Sequence, residues 1–148
     1  MYQCILIATD GSDLSRKAVI SGIQLAELTG AQLVALKVVP RYPVSYFEGG
    51  NPEVAAKELA HIEQQWADDA RAVVEAVKTS AEAAGVKAEA VTITSDLIAE
   101  SIITTAKKHN CDLIVMASHG RRGLKRLLLG SETTHVLTHS HIPVLVLR

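Results

Sequence analysis

Aromatic side chains are scarce in this chain of 148 residues: one Trp, one Phe and three Tyr, or 3%. None lies within the basic run from Arg121 to Arg126. A stacking platform for nucleic acid is therefore excluded, and a phosphate-sized site explains the basic run more economically. Charge of one sign is also lacking: the net charge is -1, which exerts no global pull on nucleic acid or anionic lipid. Cysteine is limited to Cys4 and Cys111, with no C-x-x-C spacing, so no zinc or thioredoxin-type motif exists. Each begins an apolar, strand-like run, where a free thiol ordinarily acts as a small hydrophobe; a redox pair requires the two strands to be neighbours. No apolar run approaches the roughly 20 residues of a membrane span, and the opening MYQCILIATDGS has no basic n-region or cleavage site. A soluble, unexported, cytoplasmic protein without a membrane partner is expected. No P-loop ending in Gly-Lys-Ser/Thr is present, nor a Ser, His and acid set in a nucleophile context.

What the chain has is apolar residues in abundance, 48% against 21% charged, at a length suited to one domain spanning residues 1–148. Short β-rich runs alternate with helical patterns, as in a parallel α/β sheet. Strands are expected at 3–9, 31–39, 86–94, 111–117 and 143–147. Asp10-Gly11-Ser12 marks a turn, after which Ser12 or Asp13 caps a helix carrying Leu14, Ala18, Leu25 and Leu28, with Gly30 ending it. From 54 to 84 the positions Leu59, Ile62, Trp66, Ala70, Val73, Val77, Ala81 and Ala84 form one stripe of a long helix, which Gly85 stops. Asp96 is expected to cap a third helix reaching about His109, and Gly130 or Ser131 to open a fourth. Residues 40–52 hold three of the four prolines and the aromatics Tyr42, Tyr46 and Phe47, a loop that packs on the surface or covers a ligand. The fold class is thus α/β: an open five-stranded parallel sheet with helices on both faces. Such a sheet binds ligands beyond the carboxyl ends of its strands, where the strand order reverses. If the first and fourth strands flank that reversal, Asp10 faces the turn from Ala117 to Gly120.

That turn opens the most informative segment, MASHGRRGLKRLLLGS at 116–131. Small residues let a backbone approach an oxyanion, free N–H groups meet it and four basic residues add long-range attraction. Together with ILIATDGS at 5–12 and the terminal HIPVLVLR, this segment resembles the universal stress proteins of the UspA-like kind along the whole chain. The motif of their nucleotide-binding branch is Gly, two residues, Gly, nine residues, then Gly-Ser or Gly-Thr. Here it reads Ala117, Ser118-His119, Gly120, Arg121 to Leu129, Gly130-Ser131, so the first glycine is alanine. Alanine adds a methyl group and resists positive φ, which hinders a ligand needing very close approach.

The resemblance implies a Rossmann-like fold of the adenine nucleotide α-hydrolase kind, with ATP or AMP as ligand; in an enzyme, Asp10 and Asp13 would reach a Mg²⁺ carried with ATP. It implies that Ala8, Thr9 and Asp10 meet the adenosine part and that Val38 lines the adenine pocket. Met116, Ala117, Ser118 and His119 bring the end of the fourth strand into the site. Gly120 and the backbone around Arg121, Arg122 and Gly123 then hold the phosphates, while Gly130, Ser131, Glu132 and Thr133 supply a helix start, with hydroxyls from Ser131 and Thr133. The terminal strand, Val144 to Leu147, is implied to pair with its copy in a homodimer. The expected function is a stress-response regulator acting through adenine-nucleotide occupancy. A slow ATP-hydrolysing enzyme and a nucleotide-free dimeric interaction protein are the alternatives. His135, His139 and His141 cluster near the end without a carboxylate at a metal-site spacing, and read as helix-surface residues.

Overall fold

Nine elements succeed one another in the computed structural model, which describes residues 1–42, 50–120 and 129–148. They are β1 (Cys4–Ala8), α1 (Asp13–Thr29), β2 (Gln32–Val39), α2 (Pro52–Ala83), β3 (Ala88–Thr94), α3 (Ile98–Lys108), β4 (Leu113–Ala117), α4 (Ser131–His139) and β5 (Val144–Leu147). All strands are parallel, in the order β3-β2-β1-β4-β5. Continuous apolar runs become the central strands because helices cover both of their faces. Ile5 and Ile7 of β1, with Leu33, Ala35, Leu113 and Val115 of its neighbours, pack under α1 and α2. The alternate residues Leu6, Val34, Leu36, Ile114 and Met116 pack under α3 and α4.

Helix ends follow local chemistry in most places. Ser12 caps α1, its hydroxyl accepting from the N–H of Ser15 at 3.2 Å, and Gly30 ends it in the left-handed conformation at φ 75°. In three helices the sequence expectations need correction. Leu28 points away from the sheet and is 85% exposed; α1 instead buries Ser15, Ala18, Gly22, Ile23 and Ala26. Along α2 only Ala70, Val74, Val77 and Ala81 are buried, so Val74 replaces Val73 in the contact stripe. Leu59, Ile62 and Trp66 are only half-buried, and Trp66 meets Tyr42 edge-on at 5.3 Å between ring centroids rather than entering the core. Asp96 does not cap α3: it accepts from the N–H of Arg41 at 2.9 Å. The cap comes from another helix, where Glu132 of α4 accepts from the N–H of Ala99 at 3.0 Å. Tyr46 and Phe47 lie outside the described residues. Among the described residues, no helix is long and apolar enough to cross a membrane.

Candidate functional site

Strand order reverses between β1 and β4: from β1 the chain crosses to β2 on one side, while β4 lies on the other. Above the carboxyl ends of these strands opens a cleft of about 680 Å³, within the range of small-molecule pockets. Ala8, Thr9 and Asp10 reach it from β1, Val38 from β2, and Met116 and Ala117 from β4. His119 and Gly120 come from the turn after β4, and Gly130, Ser131, Glu132 and Thr133 from the start of α4. The two halves of the motif therefore converge on one space. Of the other expected site residues, Ser118 is buried behind the wall, and Arg121, Arg122 and Gly123 lie outside the described residues.

Asp10 leaves the end of β1 into a turn that Gly11 permits at φ 80°. One carboxylate oxygen, Oδ1, accepts from the N–H of Ser12 at 2.9 Å and closes the turn. The other is aimed across the cleft: a Cβ added at Gly120 would stand 2.7 Å from Asp10 Oδ2. Asp10 and Gly120 thus face each other, as the topology required. Thr9 is buried, and its hydroxyl is engaged structurally, donating to Ser15 Oγ at 3.0 Å while accepting from the N–H of Gly11 at 3.2 Å. It is the end of the strand at Thr9, not a free hydroxyl, that meets the cleft.

Across the cleft, the turn after β4 is tied to α4 by backbone. The N–H of Gly130 donates to the carbonyl of Ser118 at 2.8 Å, and the N–H of Ser118 donates to the carbonyl of Leu147 at 2.7 Å. A Cβ at Gly130 would lie 3.1 Å from both Cα and Cβ of His119, so close approach, not unusual φ, favours glycine there. Thr133 lines the cleft, and its buried hydroxyl donates to the carbonyl of Ala117 at 2.9 Å, locking α4 onto β4. Ser131 is exposed at the first turn of α4, where N–H groups have no intrahelical acceptors. A helix start of this kind offers its dipole and its first N–H groups to an anion. Ala117 is the last residue of β4, paired with Leu147 of β5; among described residues only Asn110 has positive φ without being glycine. The alanine in place of the motif glycine therefore carries no backbone strain.

The apolar part of the cleft lining comes from Leu36, Val38, Pro40, Ile98, Ile102 and Met116. Sequence reasoning reached Val38 and Met116 but missed Ile98 and Ile102, which α3 delivers from the far side. Ser15 and Lys37 also line the cleft without having been anticipated. The alternation along β2 was the available signal for Leu36, which shares a face with Val38. Asp13 is fully exposed, lies 3.8 Å from Arg16 and is not part of the wall. His135 and His139 stack at 4.2 Å on α4, with His135 Nε2 3.1 Å from Glu100 Oε1, away from the cleft lining.

The model for the universal stress protein family matches residues 1–148. A universal stress protein of Methanocaldococcus jannaschii is 35% identical over 148 residues, covering 100% of this chain and 83% of the relative. Universal stress protein YxiE of Bacillus subtilis is 32% identical over 149 residues, with both chains covered in full at 100%. Among solved structures, hypothetical protein MJ0577, studied to assign its biochemical function, superposes with a TM-score of 0.83 at 26% identity, covering 99% of this chain and 96% of that one. Two more distant structures share the fold: a universal stress protein in complex with cAMP, and one from Archaeoglobus fulgidus in complex with dAMP. Their TM-scores are 0.67 and 0.65, their identities 23% and 17%, and each match covers 99% of this chain, with 97% and 98% of the other covered.

Proposed function

The chain belongs to the universal stress protein family, and from that premise we propose that it binds an adenine nucleotide in the cleft between the ends of β1 and β4. The observation that carries the reading is the convergence on one space of apolar side chains, a carboxylate and a helix N-terminus. Adenine lies against Val38, Ile98 and Ile102; Asp10 accepts from the ribose hydroxyls; the phosphates meet the turn at Gly120 and the first turn of α4. Apolar side chains for a base, a carboxylate for a sugar and a helix start for phosphates are the groups a nucleotide would use. Two solved proteins of this fold are in complex with cAMP and dAMP, which supports an adenine nucleotide as the ligand class. We assign Ser118 and Thr133 to holding the wall rather than touching the ligand.

Occupancy acts by differential affinity: a nucleotide shifts conformation or partner binding only as far as it binds one state better than another. Such a regulator works as a homodimer through β5, an edge strand whose Leu145 is 39% exposed. A hydrolytic role would need carboxylates for Mg²⁺ carried with ATP. Among the described residues of the cleft these are Asp10 and Glu132, and Glu132 accepts from the α3 backbone. The regulatory reading is therefore the better supported one. Calorimetry on nucleotide-free protein with ATP, ADP and AMP tests it: saturable one-site binding is expected, and no heat at millimolar ligand would refute it. Mass spectrometry of small molecules released from freshly purified protein identifies the phosphate number.

A further inference from the structure

At the opposite end of the sheet, the two cysteines of the chain meet. Cys4 is the first residue of β1, and Cys111 lies two residues before β4, its neighbour in the sheet. Their sulfurs are 3.1 Å apart. Backbone contacts hold both in place. The N–H of Cys4 donates to Asp112 Oδ1 at 3.1 Å, and the N–H of Asp112 donates back to the carbonyl of Cys4 at 2.9 Å. Asn110, at φ 55°, turns the chain out of α3, and the N–H of Cys111 is fixed on the carbonyl of Ala106 at 2.8 Å. A shift of about 1 Å brings the sulfurs to the separation of a disulfide.

We propose that Cys4 and Cys111 form a site of reversible thiol oxidation that joins the start of β1 covalently to the segment leading into β4, with a peroxide as the oxidant. Accessibility assigns the order of events: Cys4 is half-buried, whereas Cys111 is 5% exposed. The Cys4 thiolate attacks one oxygen of hydrogen peroxide, the O–O bond breaks, and the departing hydroxide takes a proton and leaves as water. Cys4 is then a sulfenic acid. The Cys111 sulfur attacks the Cys4 sulfur, the S–O bond breaks, and the hydroxide leaves as a second water with the Cys111 proton. Two thiols and one peroxide become one disulfide and two waters, and a dithiol reductant returns the pair. Burial raises both thiols above the ordinary range, and the charges of Asp112 and Glu89 add to that effect. For Cys4 the hydrogen bond with Cys111 works in the opposite direction and lowers the thiol.

The test uses full-length reduced protein, hydrogen peroxide as probe, and alkylation of the remaining thiols in denaturant before mass spectrometry. The expected result is loss of both alkylatable thiols within one chain and a Cys4–Cys111 linked peptide that dithiothreitol abolishes. In a Cys111→Ser variant, Cys4 stops at the sulfenic acid and is captured by dimedone. Full alkylation of both cysteines after peroxide overturns the proposal. So does overoxidation of Cys4 while Cys111 still labels, or a cross-link between chains. The measurement on the natural sequence stands even if the variant fails to fold, and it is independent of nucleotide binding.

Discussion

Gly120 faces a carboxylate, and this gives its identity a reason beyond ligand approach. Any side chain at 120 collides first with Asp10 Oδ2, 2.7 Å from the position of a Cβ. A Gly120→Ala substitution therefore displaces the carboxylate that we assign to the ribose, without touching the core. The expected outcome is about tenfold weaker ATP binding by calorimetry, or about 1.4 kcal/mol, with the unfolding midpoint nearly unchanged. Position 117 behaves differently. The motif has glycine there, and from the sequence alone the alanine methyl threatened both conformation and approach; the extended backbone at the end of β4 removes the first threat. Ala117→Gly is expected to change the ATP dissociation constant less than about threefold, roughly 0.6 kcal/mol. Motif spacing made both positions legible as parts of one site. What it hid was the destination of side chains: Thr133 looked like a ligand hydroxyl but donates to Ala117, because a buried hydroxyl takes the nearest carbonyl.

At the scale of elements, periodicity located the helices but did not say which part of each would find a partner. The stripe on α2 runs its whole length, yet full burial begins at Ala70, where the helix crosses the sheet. A hydrophobic period reports amphipathy; the length of sheet beneath it is a tertiary fact. Caps show the same division. Ser12 caps within its own turn and was readable, whereas α3 takes its cap from Glu132, 33 residues away. Glu132→Ala should cost about 1 kcal/mol in urea unfolding by leaving the N–H of Ala99 without its carboxylate, while Glu132→Gln, which keeps an acceptor, should cost less. On the other face of the sheet, α1 approaches β1 closely at Gly22, where an added Cβ would lie 2.5 Å from Ile7 Cδ1. Ile7 is fully buried and has little room to yield. Gly22→Val is expected to destabilise by about 1–3 kcal/mol through overpacking, measured by the same denaturation.

Whole-molecule consequences follow from strand order. Because β5 ends the sheet beside β4, pairing of two copies along β5 would extend the sheet without disturbing the cleft. Leu145→Glu places a charge on a side chain already 39% exposed, so the fold should survive while light scattering shifts from dimer to monomer; an undisturbed dimer rejects this interface. The same order puts the cysteine pair and the cleft at opposite ends of β1 and β4, roughly 15–20 Å apart along the strands. A disulfide across a separation of 107 residues constrains mainly the unfolded chain. A nucleotide stabilises only the folded one. These mechanisms act on different states, and the sites share no side chain, so their effects on stability should add. Four unfolding measurements, reduced or oxidised and with or without ATP, decide this. Oxidation should raise the thermal midpoint by on the order of 10 °C, and ATP at about one hundred times its dissociation constant should contribute about 2.7 kcal/mol in either redox state. If the disulfide instead changes the ATP contribution by more than about 0.5 kcal/mol, the two strands transmit strain from one end to the other, and the cross-link is a regulator of the cleft rather than a staple beneath it.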